Sequence, residues 1–163
     1  MTPFDLKSRE EWTGILARVA KATKMTATLT DDKGSHILDE KGERYPLCRK
    51  IRENDASRTF ICSQTNMAML EEVKQARKPV IDECEAGLVR MVVPIFRDDV
   101  LIGQLTACGL VSKEEEEIDP FLVAKQVGVS ESEVEDLATL TPAASKEEIE
   151  TIAESLFAEL NPS

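Results

Sequence analysis

Between Val100 and Ser112 the chain carries no charged residue, and within that span Val100 to Val111 reads as one continuous apolar strand. Such a strand needs cover on both faces and a neighbour along each edge, so it belongs in the middle of a sheet. It is too short for the ~20 apolar residues of a membrane-spanning helix. The residues before it supply the neighbours. Val80 to Cys84 predicts a strand that Gly87 interrupts, Leu88 to Phe96 predicts a second carrying Pro94, and Arg97-Asp98-Asp99 turns the chain into the apolar run. Three successive strands joined by short turns make an antiparallel meander.

Helices surround this meander in the sequence. Ser8-Arg9-Glu10-Glu11 has the form of a capping box, and Trp12, Ile15, Leu16, Val19 and Ala20 follow at helical spacing, which predicts a helix from Arg9 to Ala22. Met25 to Thr30, the turn around Gly34 and the short segment His36 to Leu38 predict a hairpin. Leu47 to Glu53 predicts a short helix and Ser57 to Arg77 a longer one stopped by Pro79, with Phe60, Ile61, Met67, Met69, Leu70 and Val73 as its apolar positions. Beyond residue 112 comes an acidic linker including the glutamates at 114–117, read as solvated, then helices over Phe121 to Val127 and Glu131 to Leu137. A second capping box, Ser145 to Glu148, opens a last helix with the stripe Ile149, Ile152, Ala153, Leu156, Phe157 and Leu160. The chain is therefore divided into a domain over 1–112 and a helical extension over 113–163, packed on the domain or used for association. The fold class is α+β.

At 163 residues the chain can bury roughly 70% of its unfolded surface in one core. Its net charge of −11 and pI near 4.7 exclude a phosphate-neutralising, nucleic-acid-binding surface as its main business. The N-terminus has an acidic residue at position 5 and no apolar stretch after it, so no export signal is expected, and the location expected is the cytoplasm, with thiols reduced.

Four cysteines, Cys48, Cys62, Cys84 and Cys108, stand singly, with 13, 21 and 23 residues between them. No C-x-x-C pair gathers them locally, so only the tertiary fold can bring them together. Four thiols suit zinc or an iron–sulfur cluster, because soft thiolates select those metals; the alternative is that they line a reduced, apolar pocket. Haem is a further candidate ligand, poorly matched to a chain with one histidine and few aromatic residues. The carboxylates of Asp82, Glu83 and Glu85 would oppose thiolate formation at Cys84. His36, the single histidine, reads as a solvated strand end. No nucleophile elbow, phosphate loop or dinucleotide fingerprint is present, so no enzyme is expected; a thiol enzyme using Cys84 with Glu85 as base would be the exception.

The segments Leu47-Cys48-Arg49, Phe60-Ile61-Cys62, Pro79 to Leu88, Val93-Pro94-Ile95 and Ile102-Gly103-Gln104 resemble the PocR-type sensory domain, a variant of the PAS fold, over roughly residues 8 to 112. The resemblance implies a PAS-like antiparallel sheet flanked by helices around a small-molecule pocket, and family cysteines at Cys48, Cys62 and Cys84. It also implies a role in signal transduction ahead of activator, kinase or cyclase modules, with short diols among the molecules sensed. Two departures stand out. The family's C-H-A-G-L run is Cys84-Glu85-Ala86-Gly87-Leu88 here, replacing an imidazole with a carboxylate, and Cys108 stands where the family tends to have a small residue.

The function expected is that of a cytoplasmic, non-enzymatic sensor that binds a small molecule or cofactor and signals through a partner protein, with a cysteine-ligated metal or redox protein as the alternative. The expected ligand-binding residues are Cys48, Cys62, Cys84, Glu85, Gly87 and Cys108, in a cavity opened by Gly87, Gly103 and Gly109, and the four cysteines are the candidate metal ligands. Neither nucleic acid nor a membrane is an expected partner. Homodimerisation through the last helix is.

Overall fold

A computed structural model describes residues 1–114 and 118–162. Three of the four glutamates at 114–117 therefore lie outside the described residues. The Ser8 hydroxyl accepts from the Glu11 N–H while Glu11 accepts from the Ser8 N–H, and this capping box starts α1 (Arg9–Thr23). Lys24, in the left-handed region, ends α1 and leads into β1 (Thr26–Asp31). The returning arm of the expected hairpin is not a strand. Only the isolated bridges Thr30 to His36 and Ala27 to Lys41 join it to β1, because Gly34, Gly42 and the intervening polar residues keep it irregular.

Next come α2 (Pro46–Arg52), the single turn α3 (Asp55–Ser57), a π-helical segment at Arg58–Ser63, and α4 (Gln64–Ala76). The helix expected over Ser57 to Arg77 is thus one run with a wider first part, in which the Gln64 N–H reaches back to the Thr59 carbonyl. Of the two methionines expected in the core, Met69 is buried and Met67 is exposed. Residues two apart on a helix point to opposite sides and cannot share a buried face.

Strands β2 (Val80–Glu83), β3 (Val89–Arg97) and β4 (Val100–Ser112) form the meander, and β1 pairs with the other edge of β4. The antiparallel order is β1-β4-β3-β2, which puts β4 inside the sheet. Helices α5 (Pro120–Val127) and α6 (Glu131–Thr139) follow, and the two-residue β5 (Ala143–Ala144) runs parallel to the end of β4 before α7 (Lys146–Leu160). Pro94 is tolerated within β3 because β2 ends opposite Val92. Beyond that point the Asn161 side chain takes over the edge, donating to the Pro94 carbonyl at 2.9 Å and accepting from the Phe96 N–H at 2.7 Å.

The two faces of the sheet differ in chemistry. Ala27, Leu29, Met91, Val93, Ile95, Leu105 and Ala107 alternate onto one face and pack with Trp12, Leu16 and Val19 of α1 and with Ile149, Ala153, Leu156 and Leu160 of α7. Thr26, Thr28, Thr30, Arg90, Gln104 and Thr106 occupy the positions between, beneath the α2 to α4 region. Gly103 serves the N-terminus and not a cavity, since a Cβ there would lie 2.6 Å from Pro3 Cγ. Pro3 in turn accepts the Trp12 indole N–H at 2.8 Å.

Four of the six stripe residues of α7, Ile149, Ala153, Leu156 and Leu160, are therefore spent on the chain's own sheet, and Ile152 and Phe157 are half-buried. Leu156→Ala is expected to destabilise the fold by about 2–5 kcal/mol, measured by denaturant unfolding. Deletion of 145–163 should remove cooperative unfolding; a folded, shorter chain in light scattering would contradict the packing.

Candidate functional site

Under the polar face of the sheet lies a cavity of about 330 Å³. Its floor comes from Thr28 on β1, Arg90 on β3, and Cys108 and Gly109 on β4. The roof comes from Cys48, Ile51 and Arg52 on α2, from Arg58, Ile61, Cys62 and Ser63 on the π-helical segment, and from Thr65 and Asn66 on α4. Cys84 and Leu88 close one end, and Gly34, His36 and Arg44 border it from the irregular arm after β1.

Local irregularities aim these groups inward. At Gly109, with φ of +119°, the β3–β4 register shifts, so that Val89 pairs with Leu110 and Arg90 with Cys108. This bulge turns two consecutive residues, Cys108 and Gly109, toward the cavity. Glycine is needed there for the backbone angle, since a Cβ would only make ordinary contact with Cys48 Sγ at 3.4 Å. The π-helical segment presents Arg58, Ile61 and Cys62 to the same space, and Thr65 and Asn66 of α4 continue that face at helical spacing. Asn66 ties the roof down, donating to the Gly34 carbonyl at 3.1 Å and accepting from Arg90 Nη2 at 2.6 Å. The Thr28 and Thr106 hydroxyls bond across the floor at 2.5 Å.

All four cysteines border this cavity, and all four are free thiols. Burial, then proximity to Cys108 and Cys84, pushes the Cys48 thiol well above the ordinary thiol range. Burial also raises Cys62, helped by Cys108 and opposed by the Arg52 guanidinium. Cys84 is pushed up to about 11 by burial, although the Leu88 and Ala86 backbone N–H groups favour its thiolate. Of the three carboxylates expected to repel a thiolate here, Asp82 and Glu85 are exposed and Glu83 pairs with Lys146.

Two expected ligand-binding residues, Glu85 and Gly87, do not line the cavity. They lie in the turn closed by the Gly87 N–H on the Cys84 carbonyl, which spends Gly87 on its φ of +91° and leaves Glu85 outside. Among the described residues no group of three or more His, Cys, Asp or Glu side chains is arranged to hold a metal ion. The four thiols thus border one cavity from its roof, floor and end without forming a ligand set among the described residues. His36, read as a solvated strand end, is exposed yet sits at the cavity border. The arginines, Asn66 and the threonines escaped the sequence reading. The signal for one of them was an arginine inside the apolar strand Val89 to Phe96, a pattern that places a charge in the interior.

The chain matches the model of the sensory domain found in PocR over residues 5–161, and it belongs to that family. The match runs through the helices after residue 112, where the sequence motifs had given out. It is a sensory domain. No curated protein matches it significantly. Among solved structures, it is similar to the C-terminal domain of a putative transcriptional regulator from Vibrio cholerae at 14% identity and a TM-score of 0.38, covering 82% of this chain and 91% of that one. A GAF domain/HD domain protein from Geobacter sulfurreducens matches at 13% identity and a TM-score of 0.41, covering 83% and 95%. The C-terminal domain of the E. coli transcriptional regulator KdgR matches at 17% identity and a TM-score of 0.35, covering 82% and 98%.

The thiolate is the reactive form of cysteine, so the thiol with its titration near 11 should be nearly inert at neutral pH. At pH 8, alkylation of Cys84 in the folded protein should be roughly 100-fold slower than that of an ordinary thiol, rising with pH up to about 11. Peptide-resolved alkylation kinetics measure this. A Cys84 as reactive as an unfolded control would contradict the burial.

Proposed function

We propose that this sensory domain is a cytoplasmic, non-enzymatic module that binds a small organic molecule in the cysteine-bordered cavity and signals through altered contacts with a partner protein. One observation carries the reading: side chains from the sheet, α2, the π-helical segment, α4 and the turn after β2 converge on one space of about 330 Å³, the lower end of the size range for small-molecule sites. The lining sets apolar Ile51, Ile61 and Leu88 beside the four thiols and a larger number of polar and charged groups, so a ligand there would be oriented mainly by polar contacts. Free thiols fit a reducing compartment. No helix among the described residues is long and apolar enough to cross a membrane.

A route to signalling follows from the position of the cavity. A ligand bridging floor and roof binds one arrangement of α2 to α4 over the sheet better than others, and a partner reading the outer faces of those helices would sense that shift in population. Zinc or an iron–sulfur cluster held by Cys48, Cys62, Cys84 and Cys108 would need the thiols gathered more closely than they are. A nucleophilic role for Cys84 with Glu85 as base draws no support from a raised thiol and an exposed carboxylate.

A thermal-shift screen of small metabolites, followed by alkylation of each hit complex, tests the proposal. Compounds that raise the midpoint should slow alkylation at Cys48, Cys62 and Cys108 together. Stabilising compounds that protect none of these thiols would place the ligand elsewhere. Metal analysis and an absorption spectrum of oxygen-free protein address the metal reading: stoichiometric iron or zinc would displace the organic-ligand proposal.

A further inference from the structure

The charge lining this cavity is opposite to that of the chain. Acidic residues outnumber basic ones 31 to 20, yet four of the nine arginines border the cavity and no Asp or Glu does. We propose that the ligand is a small organic oxyanion, its carboxylate or phosphate group held by Arg90 and Arg52 and its carbon body laid against Ile51, Ile61 and Leu88. This rests on the cavity being the ligand site and names the class of ligand.

Arg90 is the main support. It is 8% exposed, its Nη2 donates to Asn66 Oδ1 at 2.6 Å, and its buried Nε has no partner. Among the described residues no carboxylate pairs with Arg90, Arg52 or Arg58, whereas Arg44 is paired with Glu40 at 2.7 Å. A guanidinium taken out of water without a counter-charge is strongly unfavourable, and side chains that keep it there do so at the expense of the empty state. The neighbouring thiols do not supply the missing charge, because burial holds Cys48, Cys62 and Cys84 in the neutral form. A diol could accept from the guanidinium N–H groups but would leave the charge uncompensated. An oxyanion does both, and its paired oxygens match the planar fork of arginine. His36 lies in the same positive field. Its imidazolium is disfavoured by burial first and then by Arg52, Arg90 and Arg44, with Glu40 acting the other way.

Calorimetry and thermal shift with probes of one chain length test the class: butyrate, succinate, butyl phosphate and 1,4-butanediol. At least one oxyanion should bind at least about tenfold more tightly than the diol, and the carboxylate and phosphate arms identify the head group. Arg90→Gln and Arg52→Gln should each weaken that binding by about tenfold or more, while Arg18→Gln, at an exposed pair with Glu159, leaves it unchanged. If Arg90→Gln does not fold by circular dichroism, Arg52→Gln carries the comparison. Because His36 is the only histidine, its proton resonance gives a second readout, and its titration should move up when an oxyanion is bound and stay in place with the diol. A diol that binds as tightly as the oxyanions and protects the thiols would overturn the oxyanion and leave the cavity reading standing. Oxyanion binding that survives both arginine substitutions would overturn it as well. Failure of all four probes to bind or protect the thiols would count against both.

Discussion

The alternation of side chains along β4 is the constraint on which the rest of the molecule depends. Flanked by β1 and β3, this strand sends Leu105 and Ala107 to one side and Gln104 and Thr106 to the other. A slip of one residue in its pairing would exchange the two sets. The first side meets α1 and α7 in a continuous apolar core. The second meets the shorter, less regular helices after residue 45, and there the chain builds a cavity. The apolar core and the proposed recognition site thus lie on opposite faces of one sheet.

Irregular backbone marks the cavity side. The bulge at Gly109, the π-helical segment at Arg58–Ser63 and the turn at Cys84–Gly87 all border or close the cavity. The bulge turns Cys108 and Gly109 together toward the cavity, and the turn places Cys84 and Leu88 at one end of it. The polar groups on this side are held by few bonds. Arg90 leans on Asn66 alone, and Asn66 reaches the Gly34 turn, so roof, floor and border are joined through one amide. A ligand pairing with the guanidinium would add to this link, which is how occupancy could be felt by the helices above.

The apolar core was legible in the residues because its signals are local. The boxes at Ser8 and Ser145, the stop at Pro79 and the uncharged run of β4 each depend on a few neighbouring positions, and the elements fall where they indicate. The cavity was legible through its four cysteines, Leu88 and Gly109, and through little else of its lining. Glu85 was read as a site residue from its place in the family's run and Gly87 as one that makes room, but a position in a turn does not decide which side chain faces inward. Arg52 and Arg58 lie in polar stretches of helix where nothing local separates a cavity-lining arginine from a solvated one. Arg90 was the exception: a charge between Val89 and Met91 in a buried strand should have pointed inward. The π-helical widening at Arg58–Ser63 leaves no mark in the sequence period, since Arg58, Ile61, Cys62, Thr65 and Asn66 share one face at ordinary helical spacing.

If Arg90 is retained for binding and not for the fold, removing its charge should leave the empty protein no less stable. Denaturant unfolding of Arg90→Met, compared with Leu105→Ala on the opposite face, measures this directly. The account expects Arg90→Met to stay within about 1 kcal/mol of the parent or to exceed it, and Leu105→Ala to lose about 2–5 kcal/mol. An Arg90→Met variant destabilised as much as Leu105→Ala would show that the guanidinium holds the fold together, and the division of labour between the two faces would be wrong.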